Sequence, residues 1–161
     1  MPATEPFFLN SGAYLAPTFD VGAWVPELFF TSSGTTGLVF ITRVGTWTRL
    51  GNQVTANFVF ELSAIGAANG LARIRNFPFF TEYEPGSGNN YVVTAGAVSE
   101  FYSFVGLNSE PFFVGIGPDP LIVQISHLDA VGEDSTGLDQ THFTAISVLA
   151  GAVQYNALPQ R

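Results

Sequence analysis

Cysteine and lysine are both missing from this 161-residue chain, and charge of any kind is scarce: 11% of residues are charged, against about 25% in an average globular protein. Without cysteine there are no disulfides and no thiolate metal site, so no covalent staple holds the fold. Every basic side chain is an arginine (Arg43, Arg49, Arg73, Arg75 and Arg161), and the net charge of −8 repels phosphate backbones. Nucleic-acid binding is thereby excluded as an expectation. Between Arg75 and Arg161 no basic residue intervenes, although Glu82, Glu84, Glu100, Glu110, Asp119, Asp129, Glu133, Asp134 and Asp139 all fall there. Long apolar runs are absent too, because Gly, Thr, Asn, Ser or a charge interrupts every stretch that approaches the roughly 18 residues of a membrane-spanning helix. The first 22 residues contain no Lys or Arg and carry Pro2, Pro6 and Pro17, which does not read as a signal peptide.

Apolar residues are abundant, at 47% of the chain. A domain of this size buries roughly 70% of the surface its unfolded form exposes, and one so poor in charge leaves apolar surface wet unless a partner covers it. Phenylalanine dominates the aromatics, sixteen against five Tyr and two Trp. A wet sugar-reading surface favours Tyr and Trp, whose polar handles suit it, whereas Phe suits dry burial.

From Trp24 onward the punctuation is that of an all-β protein. Turn clusters SSGTTG (32–37), LGN (50–52), GAANG (66–70), EPGSGNN (84–90), GLNSEP (106–111) and GIGPDP (115–120) separate segments rich in Val, Ile, Phe, Tyr and Thr. The clearest strand is Gln53–Leu62, in which Val54, Ala56, Phe58, Phe60 and Leu62 alternate with more polar residues. Gly51 in the Leu50-Gly51-Asn52 corner joins it to a strand containing Trp47. Further strands are expected at 24–31, 37–43, 71–76, 91–98, 101–105, 112–115, 121–127, 142–149 and 152–156. No 20–50-residue period recurs. The expected fold is an all-β antiparallel β-sandwich, jelly-roll-like, spanning residues 23–161 and preceded by an extended N-terminal arm over 1–22. Phe7, Phe8, Leu9 and Tyr14 make that arm too apolar for a disordered tail. It either docks on another molecule or packs on its own domain.

Reactive chemistry finds little footing. His127, Asp129, Glu133, Asp134, Asp139 and His142 are concentrated in HLDAVGEDSTGLDQTH (127–142). Hard cations favour such carboxylate-rich loops, but the spacing does not fit the EF-hand pattern, and a solvated acidic loop is the plainer reading. No G-x-S-x-G elbow occurs, and the Glu82/Glu84 pair sits beside Pro85-Gly86 in a loop. The expectation is no enzyme, no cofactor and no metal.

Phe doublets at 7–8, 29–30, 79–80 and 112–113 place one ring on each side of a strand. One side is the domain's own core; the other needs a cover. Phe30, Phe80 and Phe113, with Arg73 and Arg75 on a shared face, are therefore candidate homotrimer interface residues, the arginines pairing either between subunits or within the chain.

The run WVPELFFTSSGTTGLVFITRVGTWTRLGNQVTANFVFEL (24–62), followed by LARIRNFPF (71–79), resembles a pattern of small bacteriophage virion proteins. Its marks are Pro26, the turn Gly45-Thr46-Trp47-Thr48-Arg49-Leu50-Gly51-Asn52, and Phe77-Pro78-Phe79, with Phe77 where leucine is usual. The resemblance implies a trimeric β-sandwich on the outside of a phage particle. In one setting it is a capsid decoration (cement) protein bound to the major capsid protein; the apolar arm residues Phe7, Phe8, Leu9 and Tyr14 are then the expected capsid contacts. In the other it is a tail-fibre or spike domain that meets a host glycan or receptor. The lack of shaft repeats or heptads favours decoration.

Overall fold

The computed structural model describes residues 19–79, 93–107, 109–116, 122–128 and 135–157. Ten strands and one short 3-10 turn run through them: β1 (Phe19–Trp24), β2 (Glu27–Phe30), β3 (Val39–Leu50), β4 (Gln53–Ala64), β5 (Ala72–Arg75), β6 (Val93–Phe104), β7 (Phe112–Ile116), β8 (Ile122–Leu128), β9 (Ser135–Gly137), the turn Gln140–His142, and β10 (Phe143–Asn156). They form two antiparallel sheets, one ordered β1-β3-β4-β10-β6, the other β2-β5-β8-β7 with β9 beside β8. The expected β-sandwich is what the chain forms. The path crosses between the layers at β1–β2, β2–β3, β4–β5, β5–β6, β6–β7 and β9–β10. Apart from the β3–β4 hairpin and the β7-β8-β9 run, sequence neighbours lie in opposite sheets, in the manner of a jelly roll.

The alternation of β4 does what it promised. Val54, Ala56, Phe58, Phe60 and Leu62 are buried between the sheets, facing Leu28, Phe30, Ile74, Val123 and Ile125 of the other layer. The β3–β4 hairpin turns at Gly51, whose φ of 60° is the left-handed conformation that a glycine adopts without penalty.

Several boundaries differ from the sequence reading, each for a local reason. The expected strand at 24–31 is two strands in different sheets, parted at Val25-Pro26, since proline has no N–H for a ladder. Two expected strands merge into β6 and two into β10, because bulges absorb the irregular residues. The β10–β6 register shifts between Phe143 and Val148, between Ala150 and Gly151, and between Gln154 and Tyr155. The arm drawn as 1–22 overlaps β1, whose Phe19 to Trp24 pair with Leu50 to Gly45 of β3. β1 escapes the hydrophobic pattern because it is inverted: Phe19 and Val21 point outward while Asp20 and Gly22 point inward. The arm residues Phe7, Phe8, Leu9 and Tyr14, together with Phe80, lie outside the described residues.

Candidate interaction surfaces

β2 decides which ring of the Phe29–Phe30 doublet meets the core. Its register sets Leu28 against Ile74 and Phe30 against Ala72, all facing the opposite sheet. Phe30 is 0% exposed, its ring edge-on to Phe143 at 5.3 Å between centroids. Phe113 is likewise interior, 7% exposed and packed edge-on to Phe58 at 5.3 Å. A Cβ at Gly96 or Gly151 would come within 2.7 Å of that ring or its stem, so the two glycines are the floor on which Phe113 lies. The expectation that Phe30 and Phe113 line a subunit interface is thus corrected. In both doublets the second ring is the core-facing one.

The outward member, Phe29, has a cover from its own chain. Arg75 sits over it at 4.6 Å from guanidinium carbon to ring centroid, a cation–π contact. Arg75 also donates to the Glu27 carboxylate, and that hydrogen bond, helped by the Glu27 charge against a desolvation cost, raises its pKa further above the ordinary arginine value. Arg73 stands between Phe29 and Gln124 in the register, as the i, i+2 spacing from Arg75 required. Its Nε is buried and makes no hydrogen bond. The ion pair of Arg75 lies within the chain, not between subunits.

The outer face of the larger sheet has a different character. Pairing registers place Phe19, Val21 and Ala23 of β1, Val44, Thr46, Thr48 and Leu50 of β3, Thr55, Asn57 and Val59 of β4, Ala150 and Ala152 of β10, and Ala97 and Tyr102 of β6 on that side. Phe19 is 67% exposed, Val21 62% and Val44 55%. A shallow trough of about 330 Å³ crosses the middle, walled by Val44, Thr46, Asn57, Val59, Ala97 and Ala152. Glu61 and Glu100 are the charged residues that the register adds to this face, Glu61 opposite Val148 and Glu100 on the edge strand β6, opposite Ala150. Glu61 accepts a hydrogen bond from Thr42 at 3.0 Å.

Beneath β1 and β3, two tryptophans lock the strands. Gly22 is opposite Trp47 and Gly45 is opposite Trp24. A Cβ on Gly22 would lie 2.5 Å from the Trp47 ring, and one on Gly45 2.2 Å from the Trp24 ring. Trp24 stacks on Phe77 at 5.0 Å and donates from Nε1 to the Asn57 carbonyl. Trp47 meets Phe79 edge-on at 4.7 Å, and Arg49 covers the same Phe79 ring. Nearby Tyr155 is fully buried, its hydroxyl close to the Phe79 backbone and to Arg49. Burial pushes its pKa well up, against weaker downward pulls from the Phe79 backbone and the Arg49 charge.

The two histidines are brought together, with rings 5.1 Å apart. Asp139 caps the 3-10 turn, accepting from the Thr141 amide and hydroxyl, while His142 Nδ1 lies 3.0 Å from its carboxylate. Burial alone would raise the Asp139 pKa; the Thr141 and His142 contacts outweigh it and hold it below the usual value. Asp129, Glu133 and Asp134 lie outside the described residues. Among the described residues no group of three or more His, Asp or Glu is placed to hold a metal.

Sequence reasoning missed the apolar outer face. Its signal was present in the non-core positions of the strands, where Val44-Thr46-Thr48, Thr55-Asn57-Val59 and Ala150-Ala152 alternate without a charge.

No protein-family model and no curated protein matches the sequence. In fold the chain is similar to a part of the Dettilon tailspike protein (gp208), whose crystal structure superposes with a TM-score of 0.58 at 18% identity, over 86% of this chain. The chain spans 24% of that tailspike chain.

Proposed function

We propose that this chain is a structural domain of a bacteriophage virion, located in a tail appendage of the spike or fibre kind, where it works by contact and not by bond cleavage. The observation that carries the reading is the likeness in fold to part of the Dettilon tailspike protein, covering 86% of this chain. The turn motif Gly45 to Asn52 that carries the resemblance to virion proteins is built into the fold, with Gly45 seating the Trp24 ring and Trp47 lying across Gly22. Capsid decoration, which the sequence favoured, has the weaker support: two of its trimer residues, Phe30 and Phe113, are core, and the fold match is to part of a tailspike. A tail-appendage domain of this kind meets a host glycan or receptor.

Labelled antibody against the purified domain, followed by electron microscopy of intact phage, tests the placement. Label at the tail is expected. Label scattered over the capsid would restore the decoration reading, and virions without label would overturn both. Incubating the purified domain with host-surface polysaccharide is expected to release no new reducing ends; release would make the protein a glycan-cleaving enzyme.

A further inference from the structure

We infer that the outer face of the β1-β3-β4-β10-β6 sheet is the surface through which copies of this chain associate with one another. The inference does not depend on where in a virion the protein sits, and it replaces the interface expected from the Phe doublets with another set of residues.

Charge comes first. A protein of net charge −8 repels its own copies, and like charges brought together across an interface are costly. Self-association therefore needs a face from which charge has been removed. This one carries Val44, Thr46, Asn57, Val59, Ala97 and Ala152 around the trough, and its two carboxylates lie at the margin: Glu61 one row beyond, and Glu100 on the edge strand β6, opposite Ala150. A basic partner would find little here to pair with, and a polyanion would gain nothing from a face on which no described residue is an arginine. A second copy is the occupant whose surface is known to be equally neutral.

Size agrees. β10 and β4 pair over nine residues, from Val148–Glu61 to Asn156–Gln53. At about 3.3 Å per residue, with five strands about 4.8 Å apart, the face covers roughly 700 Å². Stable interfaces bury about 800 Å² on each partner. Composition agrees as well: small Ala and Thr side chains around the trough allow sheets to approach closely, while Phe19, Val21 and Val44 at more than half exposure supply apolar area. The opposite sheet has no comparable need, since Arg75 and Glu27 already cover Phe29.

Light scattering on the purified full chain across a hundredfold dilution tests the inference. The expected mass is a small multiple of 17.2 kDa. Val44→Glu with Ala97→Glu places two carboxylates in the trough and should raise the concentration for half-assembly at least tenfold, with the far-ultraviolet dichroism unchanged. Val105→Glu, an exposed apolar position beyond the end of β6, should leave assembly as it was. A second measurement covers the case in which the double variant misfolds. Because the chain has no cysteine, Thr48→Cys adds its sole thiol for a nitroxide label. Spin–spin broadening between copies is expected there, lost on dilution with unlabelled chain, and absent for a label at Asn69→Cys. A wild-type chain that stays at 17.2 kDa, a double variant that assembles normally, or broadening at Asn69 but not Thr48 would overturn the inference. So would a monomeric wild type that assembles once residues 2–15 are deleted, since that segment would then be the cover.

Discussion

The outer faces of the two sheets are built from the same strand chemistry and end up opposite in character. On the smaller sheet an apolar ring that points outward, Phe29, is roofed by Arg75, and Arg75 is held by Glu27. On the larger sheet Phe19, Val21 and Val44 point outward with more than half their surface free. With five basic residues in the chain, covering every apolar patch by a long cationic side chain is not an option. Arg75 is placed where the domain shields itself, and the uncovered face is the larger and more neutral one. An outward apolar residue therefore means little until its neighbours across the strands are known.

The comparison can be broken most forcefully at the doublets. If Phe30 and Phe113 point into the domain's own core, replacing either by alanine removes a buried ring and should cost about 3–5 kcal/mol. Denaturant midpoints of the purified variants check this. Dissociation of an assembly without loss of subunit stability would instead put these rings at an interface. Next in size is Gly45→Val, which drives side-chain atoms into the Trp24 ring beneath the larger sheet. Overpacking of that kind costs about 1–3 kcal/mol. A lowered thermal midpoint with altered tryptophan emission is the expected readout.

Arg75→Ala asks whether a roof is all that separates the two faces. The exposed ion pair with Glu27 contributes about 0.2–1 kcal/mol, so the stability change should be small. Uncovering Phe29 should nevertheless increase binding of a hydrophobic dye to the folded protein, giving the smaller sheet the character of the larger. The smallest effect is expected for Asp139→Asn at the junction of β9 and β10. The folded carboxyl has a pKa below its usual 3.8, so its contribution is fully present above that value and is lost as the pH falls through the lower, folded one. The wild type should therefore lose slightly more stability than Asp139→Asn between pH 6 and pH 3, measured by urea midpoints at each pH.

Much of the fold was legible in the chain because β4 is ordinary: a half-buried strand in an antiparallel sheet alternates, and Gln53–Ala64 alternates throughout. β1 was not legible, since its inward positions are Asp20, Gly22 and Trp24, two of which a pattern search scores as polar or breaking. What makes Gly22 an interior residue is the Trp47 ring lying across it, a long-range fact that no local window contains. The doublets misled for a related reason. Alternation says that the two rings part company, but which one turns inward depends on whether Ala72 and Ile74 face the same way as Phe30 and Leu28, and that is a matter of register. The arginine pair was half legible: the i, i+2 spacing fixed a common face, while the partner of Arg75 came from a strand more than forty residues away.

The paired tryptophans have a mechanical consequence. β1 directly follows the N-terminal segment, so a load applied to that end would reach the fold through β1 and its neighbour β3. For β1 to creep along β3 by two residues, Trp24 would have to leave the hollow that Gly45 provides and come up against a position with a side chain, Trp47 or Arg43. Gly22 would at the same moment quit the Trp47 ring. The two indoles thus act as detents on a sliding bolt: the strand can be torn away whole, but it has no easy intermediate stop at which to slip.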